Sequence, residues 1–320
     1  MITPDGFAGE IDGPQTDGGG PGADGAIGNV TVLASFDPSM GQLAEGLTIQ
    51  NGSPLVGFAP TGAIVRVQGS VMPFGQIPAP SMTFTTGLAA DVKGNVYAAV
   101  AAVGATPAPV PGVYKFSPTG GTPTLFASKA TPPEMFFANG LDVKGTDLYI
   151  SDSNGHIFRA PLATGIADVW FSDPLITGDV AGCGGTGFGF AIGANGITHD
   201  ENNIYVANTD FGRIVRIPIR TNGNPGMPVV VAESCDLHGA DGIALDTDGS
   251  ILLAQNGVNK ITRVNQDGTY TVLHEGLDGP ASVALELQPE KRLLVTVSAF
   301  ASASLDGGSP MPALVALPLP

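Results

Sequence analysis

Short apolar runs recur along this chain, separated by small polar turns, and six of them open alike. A small or polar residue, usually followed by Gly and an aliphatic residue, starts each run. The six are Glu45-Gly46-Leu47, Thr86-Gly87-Leu88, Asn139-Gly140-Leu141, Asn195-Gly196-Ile197, Asp241-Gly242-Ile243 and Ala281-Ser282-Val283. Their first residues are 41, 53, 56, 46 and 40 positions apart. Inside one repeat the pattern is that of β structure. Residues 196–198 open a strand, and 204–207, 213–217 and 228–232 supply three more, with turns at 200–203 and 208–212. The next repeat has runs at 243–245, 251–254, 260–264 and 270–273. Asp-Gly and Asn-Gly dipeptides between β-branched runs are hairpin signals.

Repeats of this length built from short strands predict an all-β chain folded as a β-propeller, and six openings predict six four-stranded blades. Ring closure is also legible. The last repeat has runs at 283–285, 293–297 and 313–317 and then ends, one strand short. Residues 29–34 form a strand without a repeat. Pairing it with the C-terminal strand completes the last blade and removes two open sheet edges. The predicted propeller therefore spans 29–320, and 1–28 is an Asp/Gly/Pro-rich leader too polar to pack. It reads either as a tether for an exported domain, with a signal or anchor before Met1 left open, or as a plain disordered terminus.

Equivalent positions in a propeller circle one axis, so Glu45, Asn139, Asn195 and Asp241 are expected to converge in the channel. Two carboxylates and two amide carbonyls make a hard-cation set suited to Ca²⁺, with Mg²⁺ or another divalent cation as alternatives. No His pair or Cys set offers the softer ligands of a zinc site. Such a cation either activates a carbonyl or phosphoryl group or simply pins the channel.

Composition narrows the partners. Hydrophobic residues make up 43% and charged residues 13%, ample for a core, and the 46 Gly and 27 Pro suit many turns. A net charge of −16 repels phosphate backbones, which excludes nucleic acid as a natural partner. No apolar stretch reaches the roughly 18–20 residues of a membrane span. Cys183 and Cys235 fall in loops leading into adjacent blades, as a disulfide of an oxidising compartment or as two free thiols. The Gly-rich loop 183–190 lacks a phosphate-loop ending, and no Gly-x-Ser-x-Gly elbow is present.

The Glu-Gly, Asn-Gly, Asn-Gly and Asp-Gly openings resemble those of the gluconolactonase/regucalcin/luciferin-regenerating family, over about 29–320. Paraoxonase and diisopropylfluorophosphatase propellers are similar in their metal site. The resemblance implies that Glu45, Asn139, Asn195 and Asp241 hold a divalent cation, commonly calcium. The chain departs from the family at Leu47, where Pro is frequent, and at Gly140, where several relatives carry an acidic residue.

The expected function is a calcium-dependent hydrolase of lactones or esters, secreted or periplasmic and monomeric. Asp241 is the expected base or nucleophile, and His238 the proton shuttle. His156, Phe188 and Phe190 are expected at the substrate. A phosphotriesterase and a non-catalytic propeller that binds a protein or glycan are the alternatives.

Overall fold

The chain turns on short polar dipeptides. At Asn51-Gly52 both residues adopt positive φ, the geometry of a two-residue hairpin loop between Gln50 and Ser53. In the computed structural model, residues 30–78, 84–101, 110–184, 189–304 and 309–319 are described. The expected leader 1–28 and Phe188 lie outside these.

Strand β1 (Thr31–Ser35) precedes β2 to β5 (Ala44–Gln50, Ser53–Phe58, Ala63–Val67 and Val71–Gln76). Strands β6 to β9 follow (Phe84–Ala90, Val96–Ala101, Gly112–Ser117 and Gly120–Ala127), then β10 to β13 (Ala138–Lys144, Asp147–Asp152, His156–Pro161 and Asp168–Ser172). Next come β14 to β17 (Ala194–His199, Asn203–Asn208, Arg213–Pro218 and Val229–Glu233) and β18 to β21 (Ala240–Leu245, Ile251–Gln255, Lys260–Val264 and Tyr270–Glu275). The chain closes with β22 to β24 (Pro280–Glu286, Arg292–Val297 and Ala313–Pro318), with one short helix, α1 (Phe300–Ser304), between the last two.

These strands build a propeller-like all-β fold. Strands β10–β13, β14–β17 and β18–β21 each form a four-stranded antiparallel sheet. A fourth has the order β1-β24-β23-β22, so the first strand pairs antiparallel with the last, Thr31 opposite Ala316. The remaining eight strands form one sheet. Within it β2–β5 and β6–β9 are antiparallel runs joined only by a parallel bridge between Gly75 and Gly121.

The first strands of the runs touch in the order β2, β6, β10, β14, β18, β22 and back to β2. Apolar side chains fill the spaces between adjacent sheets rather than one central core. Leu148, Ile150 and Phe158 pack on Tyr97 and Val113, and Ile204 and Val206 pack on Ile157 and Trp170. Among the described residues no helix is long and apolar enough to cross a membrane.

Candidate metal centre

Each inner strand is interrupted where its opening dipeptide falls. The ladder shifts between Ala44 and Leu47, Thr85 and Leu88, Ala138 and Leu141, Ala194 and Ile197, Ala240 and Ile243, and Pro280 and Val283. A bulge frees two residues from pairing and re-aims a side chain. The residues freed are the opening dipeptides themselves. Glu45, Thr86, Asn139, Asn195 and Asp241 consequently line one cavity inside the ring.

The glycines after them permit the approach. A Cβ on Gly46 would stand 2.2 Å from the Thr86 carbonyl oxygen, and one on Gly87 2.3 Å from that of Asn139. On Gly140 it would meet Asn195 O at 2.5 Å, on Gly196 Asp241 O at 2.2 Å, and on Gly242 Ala281 O at 2.6 Å. These contacts are all with backbone, which cannot swing aside. The residues that follow the dipeptides, Leu47, Leu88, Leu141, Ile197, Ile243 and Val283, line a second pocket inside the ring.

Two neighbouring sheets repeat the same hydrogen-bond relay. The Asn139 amide donates to Ser153 Oγ at 3.1 Å, and Ser153 Oγ donates to the Ala194 carbonyl at 3.0 Å. The Asn195 amide donates to Thr209 Oγ1 at 3.0 Å, and Thr209 Oγ1 donates to the Ala240 carbonyl at 2.6 Å. Each amide nitrogen is thus anchored to the residue just after the second strand of its own sheet. Asp241 accepts from the side chains of Asn195 and Asn256, and the Asn256 amide also donates to Ser298 Oγ at 3.2 Å. Glu45 keeps some surface open to the cavity, but its Oε2 is sealed and has no hydrogen-bond partner.

The electrostatics are out of balance. Burial is the main cause that pushes the Asp241 carboxyl from its ordinary 3.8 up to about 8, against the two amides that lower it. Burial also pushes Glu45 well above its ordinary value, and repulsion from Asp241 adds to it. Buried carboxylates persist only when protonated or met by positive charge. No cluster of three His, Cys, Asp or Glu side chains occurs among the described residues. The donor set here is two carboxylates with two amides. An orphaned carboxylate oxygen facing a second raised carboxylate, beside amides pinned through their nitrogens, fits a hard cation.

The other expected site residues are distributed as follows. Phe190 lines the cavity, but His238 and His156 do not. The His238 ring lies beside Gly257, its Cε1 3.6 Å from where a Cβ there would stand, and its Nε2 is buried without a hydrogen-bond partner. His156 opens β12, with Nδ1 2.9 Å from Ser172 Oγ and its ring against Phe158. Cys183 and Cys235 are joined in a disulfide.

Sequence reasoning missed Phe84, Phe137 and Phe300, which join Phe190 at the cavity. A signal existed for two of them. Phe84 and Phe137 stand two residues before Thr86 and Asn139, the spacing that keeps strand residues on one face.

Comparison with known proteins agrees with the layout. Residues 191–299, which contain Asn195, Asp241 and Asn256, match the family model described as SMP-30/Gluconolactonase/LRE-like region. No curated protein sequence matches the chain. Among solved structures, a protein assigned as a gluconolactonase superposes with a TM-score of 0.64 at 13% identity, covering 90% of this chain and 91% of that one. Regucalcin from Agrobacterium tumefaciens, described as a calcium-binding protein, superposes at 0.61 with 19% identity over 90% and 93%. A chain of the nidogen/laminin complex does so at 0.55 with 21% identity over 75% and 83%. At these identities the likeness is one of fold. Over residues 191–299 the chain is thus similar to the SMP-30/gluconolactonase/LRE-like family, and it shares its fold with the gluconolactonase-assigned protein and regucalcin.

Proposed function

We propose that this protein is a six-bladed propeller that uses a divalent cation, calcium in the first instance, to hydrolyse a lactone or ester. The closed order of inner strands supports the blade count, with the eight-stranded sheet taken as two blades joined by the Gly75–Gly121 bridge. The observation that carries the function is the cavity set. Glu45, Asn139, Asn195 and Asp241 come from four different inner strands, and the two carboxylates act on each other across the cavity. The relatives named a gluconolactonase and a calcium-binding regucalcin point the same way.

Glu45, Asn139, Asn195 and Asp241 would hold the cation, which when bound supplies Lewis acidity toward a carbonyl oxygen and makes nearby water more acidic. The protein's own contribution is order and exclusion. Ser153 and Thr209 hold the two amides in fixed orientation, so their oxygens need no reorganisation. Asp241 is the group assigned to take the proton as water adds to the carbonyl, while the Asn195 and Asn256 amides steady its carboxylate. The phenyl rings bordering the cavity present apolar surface that disfavours bulk water there. His238 and His156 are left out of the proposal because neither lines the cavity. The disulfide is compatible with an oxidising compartment, so we propose export.

A panel of a lactone, an aryl ester and a phosphotriester tests the reading, run with calcium and after chelation. We expect lactone or ester turnover that chelation abolishes and calcium restores, and a loss of at least about a hundredfold in Asp241→Ala. Turnover unchanged in Asp241→Ala refutes the mechanism. Faster phosphotriester turnover would favour the phosphotriesterase reading of the same site.

A further inference from the structure

Four phenylalanines border the cavity above the polar set, and they reach it from separated parts of the chain. Phe84 begins β6, Phe137 precedes β10, Phe190 precedes β14, and Phe300 begins α1. Their rings form a continuous chain. Phe300 and Phe84 centroids lie 5.5 Å apart, Phe84 and Phe137 6.5 Å, and Phe137 and Phe190 5.8 Å. Phe190 is 38% exposed and Phe137 only 7%, so the collar runs from a closed wall to an open lip.

The phenyl rings offer no hydrogen-bond partner, and two hydroxyls of the lining are already engaged. Thr86 Oγ1 donates to the Ala138 carbonyl at 2.9 Å, and Thr209 Oγ1 to that of Ala240. The cavity encloses about 70 Å³, space for a head group of a few heavy atoms, at roughly 10–15 Å³ per water. A body attached to that head and directed toward the lip meets Phe190 and the rings beside it.

We propose that the ligand of this site has a compact carbonyl head and an apolar alkyl or aryl body, and is not a polyhydroxylated sugar lactone. The inference rests on the hydrolase reading for the head group alone. Sugar hydroxyls pressed on the collar would lose their water without gaining partners, which costs binding. An alkyl or aryl body gains by leaving water there, and phenyl rings stack on aryl groups in edge or offset geometry.

Binding is tested without turnover by calorimetry in calcium buffer, with non-hydrolysable 5-alkyl-2-pyrrolidinones from methyl to hexyl and with gluconolactam. Affinity should rise about fourfold per methylene as each is buried, with gluconolactam weaker than the hexyl lactam. Phe190→Ala, at an exposed position, and Phe300→Ala should flatten that rise, while Phe84→Leu should keep most of it. Affinity independent of tail length, or tighter binding of gluconolactam, overturns the proposal. Tail-dependent binding with no turnover of the matching 5-alkyl lactones would support the collar and sink the hydrolase reading alone.

Discussion

At the residue scale, the telling groups are Glu45 and Asp241, two buried carboxyls held well above their ordinary values mainly by burial. Groups raised in this way favour the folded state most below their unfolded values, near 3.8 and 4.5. That contribution is lost as pH climbs through the raised values, about 8 for Asp241. Metal-free protein should therefore melt progressively lower between pH 5 and pH 8. Added calcium should raise the melting temperature more at pH 8 than at pH 5, because at pH 5 it competes with protons. Scanning calorimetry at both pH values checks this, and equal shifts would mean that these carboxyls do not bind the ion. The oxygen set was legible in the sequence because each member opens a repeat. His238, expected near Asp241 from its spacing, does not line the cavity. It caps the 3-10 turn Cys235–Leu237, which sets its ring beside Gly257.

At the scale of elements, the opening dipeptide does two jobs. Its first residue is freed by a bulge and turned to the cavity, and its glycine lets the next strand's backbone approach. In the sequence, Asn-Gly and Asp-Gly look like turn signals, yet here they sit inside strands. The structure therefore explains the glycine by crowding from the neighbouring strand rather than by a turn. Gly196→Ala would drive a methyl group into Asp241 O and the backbone of Gly242 and Ile243. It should destabilise by about 1–3 kcal/mol and weaken calcium binding as well, since the crowded carbonyl belongs to a proposed ligand. Gly249→Ala, where nothing lies within 4 Å of the added carbon, is the control for backbone effects because its φ is positive. Urea melts of both variants, with and without calcium, separate the effects: only Gly196→Ala should change the calcium response. The collar was harder to read, because Phe300 reaches the cavity from α1, an element without a counterpart among the described residues of the other repeats.

For the molecule as a whole, the repeat gave the strand content and the pairing of the first strand with the last. It did not give the bridge between β5 and β9, a single backbone contact with no side-chain pattern behind it. The Cys183–Cys235 bond ties the segment before β14 to the segment before β18 across 52 residues. Replacing both cysteines by serine should cost about 2–4 kcal/mol, visible in urea melts, while leaving calcium stoichiometry unchanged, because neither cysteine lines the cavity. Loss of calcium in that variant would show that the loops, and not the inner strands alone, define the site.

The most direct test of the central claim is elemental analysis of the purified protein, wild type and Asp241→Ala, after dialysis against metal-free buffer. The account predicts about one equivalent of calcium per chain in the wild type, and none in a folded Asp241→Ala variant. No bound metal in the wild type, together with no thermal shift on adding Ca²⁺, would contradict it and favour a propeller that binds partners without catalysis.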